Sequence, residues 1–164
     1  DTWFSRTRWY LDGQPYGEYL IYDDDRVYGV RARRSANADG GFYNPIKSDY
    51  VLFGARRNMS ERPKKGGKQT SLDVWSVKAP TRIESMILAG DVLFVAGVPD
   101  QVLEREPWAA YEGKRGGHLY SINKKDCSLF QKLDLDQAPV YDGMSAAYGR
   151  MFLSTQDGDL ICYE

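Results

Sequence analysis

Two stretches decide the fold: Glu84–Gly97, reading ESMILAGDVLFVAG, and Asp142–Thr155, reading DGMSAAYGRMFLST. Each is an apolar run, a tight turn at Gly90-Asp91 or Tyr148-Gly149-Arg150, and a second apolar run. That pattern predicts a β-hairpin. Laid over one another, Met86 falls on Met144, Ala89 on Ala147 and Phe94 on Phe152. The next run repeats too. GGHLYSI (116–122) falls on DGDLICY (157–163), with Gly117 on Gly158 and Leu119 on Leu160. The first spacing is 58 residues and the second is 41, so the earlier unit carries 17 extra residues between its second and third runs. Insertions in loops between repeated elements have this effect. LIYDDDRVYGV (20–30) fits the same hairpin, placing Val27 and Tyr28 on Met151 and Phe152.

Beyond these hairpins, short runs rich in Val, Ile, Leu, Tyr and Phe alternate with turn residues, and helical periodicity is nearly absent. The chain reads as all-β. Further strands are expected at Asp49–Phe53, at Leu72–Val77 with Trp75, and at Ser128–Leu133. Only Pro107–Tyr111 predicts a short helical turn, with Pro at its first position. The repeating unit is a run of four antiparallel strands, and tandem four-stranded units read as blades of a β-propeller. On this reading residues 1–17 are an aromatic and basic lead-in. Blade one is 18–77, blade two is 83–133 with an insertion at 98–116, and an incomplete last blade occupies 144–164. Two and a half to three blades cannot close a ring, so a partial propeller is expected, completed by further blades of the same polypeptide or by another protein. A small β-sandwich is the rival architecture, and the repeat disfavours it.

Composition narrows the function classes. The 164 residues carry 22 basic and 23 acidic side chains, a net charge of −1, which argues against a dedicated nucleic-acid binder. No apolar run approaches the roughly 20 residues of a membrane helix. With two Cys and one His, neither a disulfide scaffold nor a Cys/His zinc cluster is expected. Residues 1–82 hold 15 basic and 10 acidic groups. Much of that positive charge lies in Arg31–Arg34 and in Arg56–Lys68, which read as solvated loops. Asn58-Met59-Ser60 matches a glycosylation sequon, a weak signal at three residues. A chain starting at Asp1 is expected to be a processed or excised part of a longer protein.

The segment GGHLYSINKKDCSLFQKLDLDQAPVYDGMSAAYGRMFLSTQDGDLICYE (116–164) resembles a blade boundary of the PQQ-like propeller repeat family. That family includes the quinoprotein alcohol dehydrogenases and an outer-membrane assembly lipoprotein of the same fold. Its Leu-x-Ala-x-Asp element, followed by Thr-Gly and a docking Trp, corresponds to Leu119, Ser121, Asn123, Asp126, Cys127 and Phe130. Here Asn replaces Asp, Asp-Cys replaces Thr-Gly and Phe replaces Trp. The later Gly-Arg, Thr, Asp-Gly series is matched by Gly149, Arg150, Thr155, Asp157 and Gly158. WSVKAPTRIESMILAGDVLFVAG (75–97) and EPWAAYEGKRGG (106–117) are similar to C-terminal segments of large planctomycete-type repeat proteins of bacteria. The resemblance implies an exported protein, periplasmic or at the cell surface. It implies a binding or scaffold role, with a quinone-dependent dehydrogenase as the alternative. PQQ and calcium belong to that alternative only, and no cofactor is expected within this segment. The adjacent-Cys pair often found beside the quinone in those enzymes is absent.

Candidate site residues follow from blade geometry. In an up-and-down blade the loop between strands two and three shares a face with the connection between blades. Those loops are long here, Ala32–Ser48 and Val98–Gly116, and they join Pro80–Glu84 and Pro139–Gly143 on one face. Binding residues concentrate on loops held by a rigid scaffold. Arg82, Glu84 and Asp142, at the starts of innermost strands, are candidate channel-mouth groups. Trp108 and Tyr111 are a candidate stacking wall, or else pins holding their loop to the blade. Single features favour ordinary roles. Asp23-Asp24-Asp25 and Asp157-Gly158-Asp159 read as hairpin turns rather than metal ligands, His118 as a structural residue, and Cys127 and Cys162 as free thiols.

Overall fold

The computed structural model describes residues 9–10, 16–17, 19–32, 50–57, 73–101 and 103–164. Among them there is no helix, and every sheet is antiparallel. The expected loops 33–48 and 58–68, with the sequon at Asn58, and the aromatic positions Trp3 and Phe4 lie outside the described residues. The chain divides into two compact units.

The first unit contains a ribbon of β1 (Trp9–Tyr10) and β2 (Tyr16–Gly17) and a four-stranded meander. The meander is β3 (Tyr19–Tyr22), β4 (Arg26–Ala32), β5 (Tyr50–Arg56) and β6 (Asp73–Lys78), paired in chain order. Strand β5 is buried without interruption from Val51 to Ala55, as a strand covered on both faces should be. Trp75 lies over Gly54, where a Cβ would come within 2.5 Å of the indole, and its ring is 6.2 Å from that of Tyr28. The Asp-rich turn is explained by its own backbone. The Asp23 carboxylate accepts from the amides of Asp25 (3.0 Å) and Arg26 (2.8 Å), and the Asp23 amide donates to the Arg26 carbonyl (3.0 Å). An Asx turn uses aspartate in this way.

The second unit holds two sheets. One is β7 (Arg82–Ala89), β8 (Val92–Val98), β9 (Gly117–Asn123) and β10 (Leu129–Leu135). The other is β11 (Pro139–Ala147), β12 (Arg150–Thr155) and β13 (Leu160–Tyr163). Both are meanders, and β11 packs against β7. Between the sheets lies a core of Ala96, Leu119 and Leu135 from the first and Met144, Met151 and Leu153 from the second. Burial of each such Leu or Met stabilises the pair of sheets by about 1.5–3 kcal/mol.

The repeat read from sequence recurs pair by pair. Ala89↔Val92, Leu88↔Leu93, Ile87↔Phe94 and Met86↔Val95 become, 58 residues on, Ala147↔Arg150, Ala146↔Met151, Ser145↔Phe152 and Met144↔Leu153. Leu93↔Ile122, Phe94↔Ser121, Val95↔Tyr120 and Ala96↔Leu119 become Met151↔Tyr163, Phe152↔Cys162, Leu153↔Ile161 and Ser154↔Leu160. The hairpin of the first unit follows the same rule, with Tyr28↔Ile21 and Tyr28↔Gly54 matching Phe152↔Ser145 and Phe152↔Cys162.

The turns obey glycine chemistry. Gly90 has φ +61° at the first central position of the β7–β8 turn, as a type II′ turn requires. The β11–β12 turn instead has Tyr148 at +53° and Gly149 at +76°, the type I′ pattern.

One expectation is corrected. Pro80–Glu84 and Pro139–Gly143, expected as connections, lie largely within strands, because β7 begins at Arg82 and β11 at Pro139. Each strand has a bulge that breaks its alternation and so hides its first residues from a period-two reading. The short helical turn expected at Pro107–Tyr111 is present as one uncontinued turn within a series of tight turns over 107–115. It has a single i→i+4 bond, from the Glu112 amide to the Trp108 carbonyl, followed by a wider one from Lys114 to Ala109.

Candidate functional site

The start of β7 is locked before any side chain is placed. The Thr81 hydroxyl, buried, donates to the Val98 carbonyl, and Arg82 pairs with Val98. Between Ile83 and Ser85 the strand bulges. The Arg82 carbonyl then presses onto Gly97, where a Cβ would sit 1.8 Å from that oxygen. Only glycine admits this approach. The bulge re-aims the side chains around Glu84.

Four of the five candidates meet here. The Arg82 Nε lies 3.4 Å from Glu84 Oε1, and both side chains are about four-fifths buried. The guanidinium of Arg82 lies 4.6 Å above the Tyr111 ring, a cation–π distance. Tyr111 meets Trp108 edge to face at 5.9 Å between centroids. Burial is the chief influence on Glu84 and raises its pKa, while the charge of Arg82 partly opposes this.

The loop bearing the aromatics is anchored by smaller residues. Ala109 and Ala110 are buried, whereas Trp108 keeps 47% and Tyr111 43% of its surface exposed. Gly113, at φ +77°, packs against Ala138, just before β11, and Gln156, just after β12. Ion pairs brace the loop, Lys114 to Glu112 at 2.7 Å and Arg115 to Glu106 at 3.4 Å. An exposed pair of aromatic rings beside a largely buried Arg–Glu pair can offer both stacking and directed hydrogen bonds.

The fifth candidate, Asp142, is exposed and sits in the bulge of β11 with φ +55°. It lies 58 residues after Glu84, so the two carboxylates occupy corresponding bulges of neighbouring strands. Sequence spacing held this correspondence.

The other singled-out residues have structural accounts. His118 Nε2 lies 3.5 Å from Asp134 Oδ1, which also takes Lys132 at 2.7 Å. Burial, then Lys132, pushes the His118 pKa down, and Asp134 opposes them. The Thr155 hydroxyl donates to Asp157 (2.6 Å), and Gly158 follows at φ +95°, so that family-like series builds a turn. Asp126 accepts from the amide and hydroxyl of Ser128. Phe130, at the docking position of the resemblance, is exposed. Cys127 and Cys162 are free thiols, and burial pushes Cys127 up to about 11. Calcium fits poorly in these turns, since Asp23 and Asp157 already serve amide and hydroxyl donors. Among the described residues no three His, Cys, Asp or Glu gather as metal ligands.

Sequence reading missed one feature. A cleft of about 560 Å³ opens between the two sheets of the second unit, at the end bearing the short hairpin turns. Phe94, Leu119, Leu133, Met151 and Tyr163 line it, with Arg150 and Glu164 at its rim, paired at 2.6 Å.

No protein-family model matches the sequence, and no curated protein matches it. The site is therefore read from its own chemistry.

Proposed function

We propose that this chain is a non-catalytic binding or scaffold segment of an exported bacterial β-propeller of the PQQ-like repeat type. Its binding face is the loop side that carries Arg82, Glu84, Trp108, Tyr111 and Asp142. Its partners are the remaining blades of the propeller or another protein. One observation carries the reading. Two repeats share the same pairing register, and the 17-residue difference between them is the loop that brings Trp108 and Tyr111 to the Arg82–Glu84 pair. A scaffold that keeps its strands and varies one loop is built as binding scaffolds are. The two exposed rings are the residue types that dominate binding energy at interfaces.

The test is a titration of a partner captured with the intact chain and then purified. Trp108→Ala and Tyr111→Ala are each expected to weaken binding at least tenfold while leaving the unfolding free energy in urea within about 0.5 kcal/mol of the parent, as exposed substitutions do. Arg82→Ala is expected to weaken binding further. Unchanged affinity in both aromatic variants would remove the loop face from the interaction.

A further inference from the structure

Arg82 and Glu84 set a hydrogen-bond donor and an acceptor side by side, 3.4 Å apart, and each keeps about a fifth of its side chain exposed. The guanidinium also lies 4.6 Å above the Tyr111 ring. The pair cancels its own charge, so it favours no net ion. It suits a ligand whose groups both donate and accept, as neighbouring hydroxyls do. The rings beside it are nearly half exposed, 47% for Trp108 and 43% for Tyr111, and meet at 72°. They stand as an open corner. A protein anchor is held in a fully desolvated pocket, whereas a flat C–H face needs only one side of a ring. The set recurs on the neighbouring strand. Tyr141, 66% exposed, and Asp142, also exposed, lie in the bulge of β11, 58 residues after Ile83 and Glu84, and β11 packs against β7.

We infer that the loop face binds a neutral oligosaccharide. One pyranose ring lays its C–H face on Trp108 or Tyr111, whose ring faces carry partial negative charge. Its neighbouring hydroxyls donate to the Glu84 carboxylate and accept from the Arg82 guanidinium, bonds strengthened by the partial burial of that pair. The aromatic and carboxylate of the β11 bulge, Tyr141 and Asp142, receive the next part of the chain. A ligand that repeats hydroxyls and C–H faces along its length matches two such sets in corresponding bulges of packed strands. The inference rests on the loop-face reading above and names the ligand chemistry of that face, whether the saccharide is free or carried by a partner protein.

The probes are maltotetraose, cellotetraose and chitotetraose, titrated calorimetrically into the intact chain. At least one should bind saturably. Trp108→Ala and Tyr111→Ala should each weaken that binding by about tenfold or more, whereas Trp108→Phe, which keeps a flat ring, should stay within about threefold of the parent. Tyr141→Ala should weaken the tetrasaccharide and leave the matching disaccharide unchanged. The acidic tetragalacturonate should bind more weakly than the neutral chains. The proposal is overturned if none of the neutral chains binds, if both aromatic truncations leave binding unchanged, if Tyr141→Ala leaves the tetrasaccharide unaffected, or if tetragalacturonate binds most tightly, which would mark an anion site on Arg82. Where a tetrasaccharide competes with a captured partner protein, loss of that partner's affinity on deglycosylation assigns the saccharide to the partner, and unchanged affinity assigns a free ligand. Partner binding that is lost in Trp108→Ala while no saccharide binds would overturn this proposal and leave the loop face standing.

Discussion

The two copies β7–β8–β9 and β11–β12–β13 have the same ladder and different fates. The first is continued by β10 and carries a long loop with two exposed aromatics. The second turns tightly at Gln156–Gly158 and ends its sheet at β13. Their cores are interchangeable in type: Met86 with Met144, Val95 with Leu153 and Phe94 with Phe152. Function is therefore to be sought where the copies diverge, since shared positions are explained by packing.

The bulges diverge most sharply. In β7 the strand advances two residues, Ile83 to Ser85, while β8 moves one, from Gly97 to Ala96. In β11 it advances five, Pro139 to Met144, while β12 moves two, from Thr155 to Leu153. Gly97 and Thr155 stand 58 residues apart with opposite demands. Gly97→Ala should destabilise the chain by about 3 kcal/mol or more in urea unfolding, because the added carbon meets backbone rather than a movable side chain. Thr155→Ala should cost about 1 kcal/mol, the worth of its hydroxyl bond to Asp157. Equal costs would mean that the bulges are alike in solution.

The outer strands give the next comparison. Leu119→Ala should cost about 2–4 kcal/mol, as a buried Leu does. Leu160→Ala, at the matching register, should cost less than about 0.5 kcal/mol. A large cost at Leu160 would show that its face is covered in solution.

The turns come third. Gly90 meets its positive φ without a side chain, whereas Tyr148 holds +53° with one. Tyr148→Asn should raise stability by about 0.5–1 kcal/mol, since Asn-Gly suits a type I′ turn and tyrosine is strained there. Gly90→Asn should not, because the II′ turn prefers glycine at that place.

The smallest effect is one of pH. His118 titrates below its usual value of about 6.5 because burial disfavours the imidazolium. The unfolded chain therefore takes up the proton first as pH falls. The stability linked to His118 is whole above about 6.5 and declines as pH drops toward the folded value. His118→Gln should flatten that part of the pH–stability curve. A slope of the opposite sign would mean that the Asp134 pair outweighs burial.

Some of the site was legible in sequence and some was not. The hairpins, their register and the place of the insertion were legible, because strand pairing leaves a period of two and turns leave glycine. Arg82, Glu84, Trp108 and Tyr111 could be named as separate candidates on one face. That Arg82 stacks on Tyr111 was not legible, because the loop contributing the ring closes through Ala109 and Ala110, two residues with no distinctive signal. The first residues of β7 and β11 were misread, because a bulge places consecutive side chains on one face and erases alternation. His118 drew notice as the single histidine. Its neighbours Lys132 and Asp134 reach it across β9 and β10, a pairing no local pattern encodes.

By itself the sequence determined that the chain is all-β and that one hairpin-and-strand unit recurs, since both follow from side-chain period and turn chemistry within a few residues. Tertiary structure alone decided which charges meet which rings, where a strand bulges onto Gly97, and that a cleft stands open beside β13. Those depend on the distance between strands far apart in the chain, and neither composition nor spacing specifies that distance.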